Sequence, residues 1–422
     1  MNLTPEAPPQ GADLPSSMRR LVLELGMLTG LSVSYGNARE SDTCRIGLAR
    51  EVDLMDGAFV PCERPLTGHS LYDLASLTKL FTAVSVMQLM QRGLLHLHDA
   101  VGVVDDRFAA LQDTSLYDVL TYQAVLRSPE RIDAQPTPEA ALRQVFLTGR
   151  HLGPEPARLY SDMNALVLKY LVERVSGLAY MDYLQRHIFA PCGMGETYAR
   201  VPEDRLADCL CYNYEHRLMA GQHRLLEDAY PGRPHDPKAR LLAGVDGGPC
   251  GHAGLFSTQG DMVRFAQGLL RGDLLSRASL MELGRDRTGR PGNDGRPYRQ
   301  YLGYLCFAKG AVQRVSEVPA WMGHHAFAVS GYTGNHLAVD PELGVFDLFL
   351  GNRCHNRVSV IDPPELADQL GLSPEYAGVL PWPDGRSVRS SFRYIHLKDA
   401  LLHRPVRQAL LARGWMPGPQ PT

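Results

Sequence analysis

The sequence predicts an α/β (α+β) fold: an antiparallel sheet built from both chain ends, flanked by helices, with a mostly helical domain inserted. Strand-like segments lie near the N-terminus, helical periodicity fills the middle, and strand patterning returns after residue 300. At 422 residues the chain is too long for one small core, which implies two lobes or one domain with a large insertion.

The first fifteen residues are polar and Pro-rich, and a flexible start is expected. Residues 16–28 read as a helix with Met18, Leu21, Leu23 and Leu25 on its apolar side. Strands are expected over 31–35 and 44–52, then a loop over 57–68. The strongest helix is 76–92. Its residues Leu77, Leu80, Phe81, Val84, Val86, Met87, Leu89 and Met90 cover most of the circumference, as in a buried helix, and Gly93 follows as a stop. Helices are also expected over 138–148, 163–175 and 260–270. Strands follow over 304–308, 326–330, 334–339 and 345–350, the last two joined through Asp340-Pro341-Glu342-Leu343-Gly344. A final helix over 397–412 ends at Gly414. The expected division is a flexible 1–15, a sheet domain from 16–75 and 300–415, a nucleophile helix and mostly helical domain over 76–299, and a tail over 416–422.

Composition excludes several classes. With 43 basic and 46 acidic residues the formal charge is -3, and no block of like charge suggests a nucleic-acid partner. The N-terminus lacks the basic start and apolar run of a signal peptide, and no apolar stretch is long enough to span a bilayer. A cytoplasmic protein without membrane association is the expectation. Eight scattered cysteines read as reduced thiols. Cys209-Leu210-Cys211 is too tight for a zinc knuckle, and His96-Leu97-His98-Asp99 reads as a polar stretch after a helix. No metal and no cofactor are expected, and oligomeric state is not legible.

The chemistry lies in three short elements. In Ser76-Leu77-Thr78-Lys79, Ser76 sits where the helix begins. The unpaired N–H groups and partial positive charge of a helix start favour a developing oxyanion there. Lys79, three residues on, shares its face. Serine needs a base at neutral pH, and lysine serves as one only when neutral, so burial is expected to lower its pKa. Ser-x-x-Lys alone is a weak signal, since an N-cap serine with an exposed lysine fits equally well; the apolar helix behind it is what singles it out. Gly68-His69-Ser70-Leu71-Tyr72 nearly fits a Gly-x-Ser-x-Gly elbow, but Tyr72 breaks the pattern.

The second element is Tyr160-Ser161-Asp162. Tyr160 is a candidate proton relay, and Asp162 is equally readable as a helix N-cap. The third is Val329-Ser330-Gly331-Tyr332-Thr333-Gly334, on the edge of a strand. Its small residues let a substrate approach the backbone, and a backbone N–H there is a candidate second oxyanion donor; a Gly-containing bulge is the plainer reading.

Together, in this order, the elements resemble the serine β-lactamase and penicillin-binding-protein superfamily, whose motifs are Ser-x-x-Lys, Tyr- or Ser-x-Asn, and Lys- or His-Thr-Gly. Residues 70–79, 93–101, 251–258, 330–334 and 339–341 are most similar to the class C-like esterase and acyltransferase branch, and the resemblance runs from about 30 to 355. It implies a covalent acyl-serine intermediate, with Ser76 as nucleophile, Lys79 as base and Tyr160 as relay. It also implies that Gly331 and Tyr332 lie on the strand lining the site, with the Tyr332 N–H as oxyanion donor. Ser330, Asp162 and His252 are then candidate substrate contacts. Asp162 stands where the family has Asn. Val329 stands where it has a cation that holds a substrate carboxylate, which favours ester, amide or acyl-transfer chemistry over β-lactamase or carboxypeptidase activity. The expected partner is a small-molecule or peptide-like acyl substrate. A degenerate ligand-binding relative is the alternative, and a metal-dependent hydrolase using the histidines the third.

Overall fold

The computed structural model describes residues 13–151, 160–287, 301–310, 317–372 and 378–417. Most of the expected flexible start (1–12) and the end of the tail (418–422) lie outside them. Seven strands from both ends of the chain form one antiparallel sheet: β1 (Gly30–Asn37), β2 (Ser41–Met55), β3 (Ala58–Pro65), β4 (Phe307–Ala308), β5 (Phe327–Ser330), β6 (His336–Asp340) and β7 (Val345–Gly351). Their order is β4-β5-β6-β7-β1-β2-β3. The first and last parts of the chain meet at β1 and β7, with Leu31 opposite Gly351 and Asn37 opposite Val345.

Every residue of β6 and β7 is buried, because helices cover both faces of the sheet. On one face lie α1 (Leu14–Arg19) and the C-terminal helix. Leu14, Met18, Leu402, Val406 and Leu410 pack there against Leu31, Val33 and Phe349. On the other lies the main core, with α2 (Thr78–Gln91), α3 (Asp162–Ser176), α4 (Pro237–Asp246) and α5 (Gln259–Arg271). Helix α2 is buried from Thr78 through Leu89, as its all-round apolar sequence predicts. Its Phe81 stacks on Phe265 of α5, ring centroids 4.3 Å apart.

Some elements differ from the sequence reading. The expected loop over 57–68 is strand β3. Asp56 and Gly57, both at positive φ, make the two-residue turn that pairs it with β2. The expected strand over 304–308 shrinks to Phe307–Ala308. The helices expected over 16–28 and 397–412 each contain a π-helical turn, Arg20–Glu24 and Asp399–His403. The middle of the chain also holds strands: Glu215–Met219 pairs in parallel with Val358–Asp362, and Phe256–Thr258 pairs with Leu71–Asp73. No described helix is long and apolar enough to cross a membrane.

Candidate active site

Ser76 is delivered by a tight connection. Strand Leu71–Asp73 ends, Ala75 adopts a positive φ of 47°, and Ser76 sits in the 3-10 turn Ala75–Leu77 that leads into α2. A non-glycine residue in that region carries backbone strain of order 1–3 kcal/mol. The Asp73 carboxylate offsets it by accepting the Ala75 N–H at 2.9 Å. One turn later Lys79 is fully buried, and its Nζ donates to Ser76 Oγ at 2.8 Å and to Asp162 Oδ1 at 2.7 Å.

That geometry works against the expected neutral lysine. Burial alone works to strip the charge from Lys79, but Asp162 and then Tyr160 outweigh it, and its pKa lies above that of a free lysine. The Asp162 carboxylate thus holds Lys79 toward its ammonium form. Asp162 is held well below the usual carboxylate range: burial opposes its charge, but Lys79, His252 and Lys238 prevail. Its second oxygen, Oδ2, accepts from Lys238 Nζ at 2.5 Å. Asp162 is the first residue of α3 and not its cap, since Ser161 Oγ accepts the Met163 N–H.

The other expected residues divide. Tyr160 is brought in: Lys79 Nζ lies 4.9 Å from its ring centroid, and the ring stacks on Phe307 at 5.2 Å. Tyr332 lines the cleft with Ser76, but Gly331 and Tyr332 are not on the strand; β5 stops at Ser330 and both lie in the turn beyond it. A Cβ on Gly331 would come within 2.7 Å of the Leu74 carbonyl oxygen, so only glycine lets this turn approach the nucleophile. Among the described residues the backbone N–H groups of Ser76 and Tyr332 have no internal partner, as oxyanion donors require.

Ser330 is not among the residues that line the cleft with Ser76. Its hydroxyl donates to Glu317 at 2.6 Å and accepts from Lys398 at 3.0 Å, on the side of the sheet under the C-terminal helix. Val329 is fully buried in the main core. His252 is buried behind the cleft, its Nε2 3.0 Å from Asp236 Oδ1 and its Nδ1 3.3 Å from the Cys250 carbonyl oxygen, and it backs Asp162 without lining the cleft.

Sequence reasoning missed the organising carboxylate. Glu215 is fully buried and accepts from Tyr332 Oη at 2.6 Å, His235 Nε2 at 2.8 Å, Arg217 Nη2 at 2.9 Å and the Ser359 hydroxyl. Burial raises the cost of its charge, yet His235 and Arg217 hold its pKa well below the usual range. Three of those donors, Tyr332, His235 and Arg217, line a cleft of about 280 Å³ together with Ala75, Ser76, Asp162 and Asp236. The only local signal was the Glu-x-Arg spacing on an alternating strand, too common to single out. Arg217 gives the cleft a cation that Val329 does not supply, and among the described residues its Nε is buried without a partner.

A family model described as Beta-lactamase matches residues 53–371. Penicillin-binding protein 4* of Bacillus subtilis (strain 168) is 27% identical over 228 residues, 51% of this chain and 49% of that protein. The chain thus spans about half the length of that relative. A putative D-alanyl-D-alanine carboxypeptidase of Salmonella paratyphi A (strain ATCC 9150 / SARB42) is 23% identical over 316 residues, 69% of this chain and 72% of that one. Among solved structures, a mutant of simvastatin synthase (LovD) from Aspergillus terreus aligns with a TM-score of 0.61 at 18% identity, covering 94% of this chain and 95% of that one. An octameric penicillin-binding protein homologue from Pyrococcus abyssi aligns with a TM-score of 0.58 at 18% identity, covering 86% and 78%. At these identities the structural likeness is one of fold.

Proposed function

The chain belongs to the β-lactamase family, and from that premise we propose that it is a serine hydrolase or acyltransferase working through an acyl-Ser76 intermediate. The observation that carries this reading is the 2.8 Å contact between Lys79 Nζ and Ser76 Oγ at the edge of the cleft. In the attack, Ser76 Oγ bonds to the acyl carbon and its proton passes to a Lys79 that has first released its own. The carbonyl oxygen gains charge and is met by the N–H groups of Ser76 and Tyr332. Tyr160 carries a proton to the leaving group as the carbon–leaving-group bond breaks. Water or a second nucleophile then takes the acyl group. Because the Lys79 pKa is raised by Asp162, the fraction of the enzyme able to react grows with pH.

A fluorophosphonate probe tests the nucleophile: the native protein is expected to label and the Ser76→Ala variant not. Equal labelling of the two, or none of the native protein, overturns the assignment and leaves a ligand-binding relative. A panel of esters, amides and thioesters, read by intact mass for a stable adduct, identifies the acyl donor. The esterase and acyltransferase reading rests on Val329. Arg217 favours a second reading, because its guanidinium in the cleft is a carboxylate anchor of the kind peptidase substrates use. Rapid turnover of a chromogenic cephalosporin or a peptide ending in a free carboxylate, lost in Arg217→Met, selects that reading.

A further inference from the structure

A neutral amide beside Lys79 leaves one net positive charge next to Ser76, and an aspartate at 162 cancels it. Lys238 supplies another. Its Nζ lies 2.5 Å from Asp162 Oδ2, while Lys79 Nζ lies 2.7 Å from Oδ1, so one carboxylate bridges two ammonium groups. Both lysines have pKa values raised above the free value: burial opposes each charge, and Asp162 is the leading opposing cause in each case.

The placement of Lys238 is not what local helix physics favours. It is the second residue of α4, where Pro237 opens the helix and Asp236 caps it by accepting the Ala239 N–H at 2.8 Å. The N-terminal turn of a helix repels a cation. Lys238 is nonetheless about three-quarters buried there, its charge turned to Asp162. The groups around it are Asp162 from α3, Lys79 from α2, Asp236 from its own helix, and Asp133 from the turn Ile132–Ala134, whose carboxyl feels it. His252 adds its influence on Asp162 and Asp236 from the loop before α5.

We infer that Lys238 is a positioning residue for the acylation proposed above, which restores to the Lys79–Asp162 cluster the positive charge that Asp162 removes and keeps that carboxylate from being committed to Lys79 alone. The inference rests on the Ser76–Lys79 reading. With Lys238 present, Asp162 divides its oxygens and Lys79 can still yield its proton. Without it, Lys79 is the one ammonium left on Asp162, which holds it more firmly in that form and offsets its positive field.

The test is a double-mutant cycle of Lys238→Gln and Asp162→Asn on the full chain. It is read by the second-order rate of Ser76 acylation by a fluorophosphonate across pH, with folding checked by circular dichroism. Lys238→Gln is expected to slow acylation near neutral pH by ~10-fold or more, since one pKa unit is tenfold, and to move the acid limb of the profile to higher pH. Lys238→Arg is expected to stay within ~3-fold of the wild type, because the cation is kept. In the Asp162→Asn background, Lys238→Gln is expected to change the rate by less than ~3-fold. A merely structural lysine would cost equally in both backgrounds. That outcome, or a Lys238→Gln profile that overlays the wild type, overturns the inference. If Lys238→Gln alone is misfolded, the comparison within the Asp162→Asn background decides. Failure of the wild type to acylate at Ser76 overturns instead the reading on which the inference rests.

Discussion

The His235 backbone N–H donates to Asp73 Oδ2 at 2.6 Å, while Asp73 Oδ1 accepts from Ala75. The Asp73 carbonyl oxygen also accepts from Thr333 Oγ1 at 2.9 Å and Asn335 Nδ2 at 2.7 Å. One buried residue three positions before the nucleophile thus joins the nucleophile turn, the His235 loop and the turn carrying Tyr332. Replacement by asparagine sets an amide NH₂ against an N–H donor. Asp73→Asn is expected to cost about 2–3 kcal/mol, because a buried donor is left unpaired. Urea unfolding measures it, and a change below ~0.5 kcal/mol would show that the carboxylate does not hold these segments together.

The raised pKa of Lys79 sets the expected pH profile. Its pKa is raised, so the fraction able to accept the Ser76 proton grows with pH. The acylation rate is expected to climb through neutrality with no plateau below the ordinary lysine value of 10.5. Asp162→Asn, which removes the main opposing charge, is expected to move that limb to lower pH. The linked stability runs in the other sense: the Lys79–Asp162 pair stabilises the fold fully below the unfolded lysine pKa, and that contribution fades as pH rises through the folded one. A flat rate between pH 6 and 9 would point to another base.

Glu215 makes a prediction at the acid end. Its folded pKa lies below the ordinary 4.5, so its contribution is present above that value and is lost as pH falls from 4.5 toward the folded pKa. Glu215→Gln is expected to destabilise the protein by about 2–4 kcal/mol at pH 7, by leaving the partly buried Arg217 and the buried His235 without their anion. It is also expected to flatten part of the acid loss, with Asp162 and Asp236 supplying the remainder. Urea unfolding from pH 3 to 7 compares the two proteins, and identical slopes below pH 4.5 would remove Glu215 as the acid-sensitive group.

What the sequence revealed and what it hid divide by range of interaction. Helix α2 was legible because its apolar residues surround the axis, and the sheet from both chain ends because strand patterning recurs at both ends. The contact between Ser76 and Lys79 was legible because three-residue spacing on a helix fixes it. The charge on Lys79 was not, since it depends on Asp162, 83 positions away. Glu215 was invisible for the same reason: its donors come from 217, 235, 332 and 359, and no local pattern encodes their meeting. The side chain of Ser330 was misplaced because position 330 belongs to a strand that also faces the C-terminal helix, with Glu317 and Lys398 waiting there. Strand β3 had a local signal, Asp56-Gly57, passed over beside a Pro-containing strand.

Gly331 brings the third element against the first. Its own N–H donates to the Asn335 carbonyl oxygen at 2.8 Å, which fixes the turn, and a Cβ added there would lie 2.7 Å from the Leu74 carbonyl oxygen, 3.3 Å from Asn335 Cβ and 3.4 Å from Leu77 Cδ1. The obstructing atom is backbone, so it cannot rotate away, and Leu74 is itself tied to the Leu255 carbonyl oxygen at 2.9 Å. Gly331→Ala must therefore push the Tyr332 N–H away from Ser76. Overpacking of this kind costs about 1–3 kcal/mol of stability. The loss of acylation is expected to be larger, ~100-fold, because an oxyanion donor misplaced by a fraction of an ångström forfeits most of its effect. Fluorophosphonate labelling rates and thermal unfolding of the same preparations separate the two. An alanine variant that melts early yet labels at the native rate would show that this turn supports the fold without serving the oxyanion.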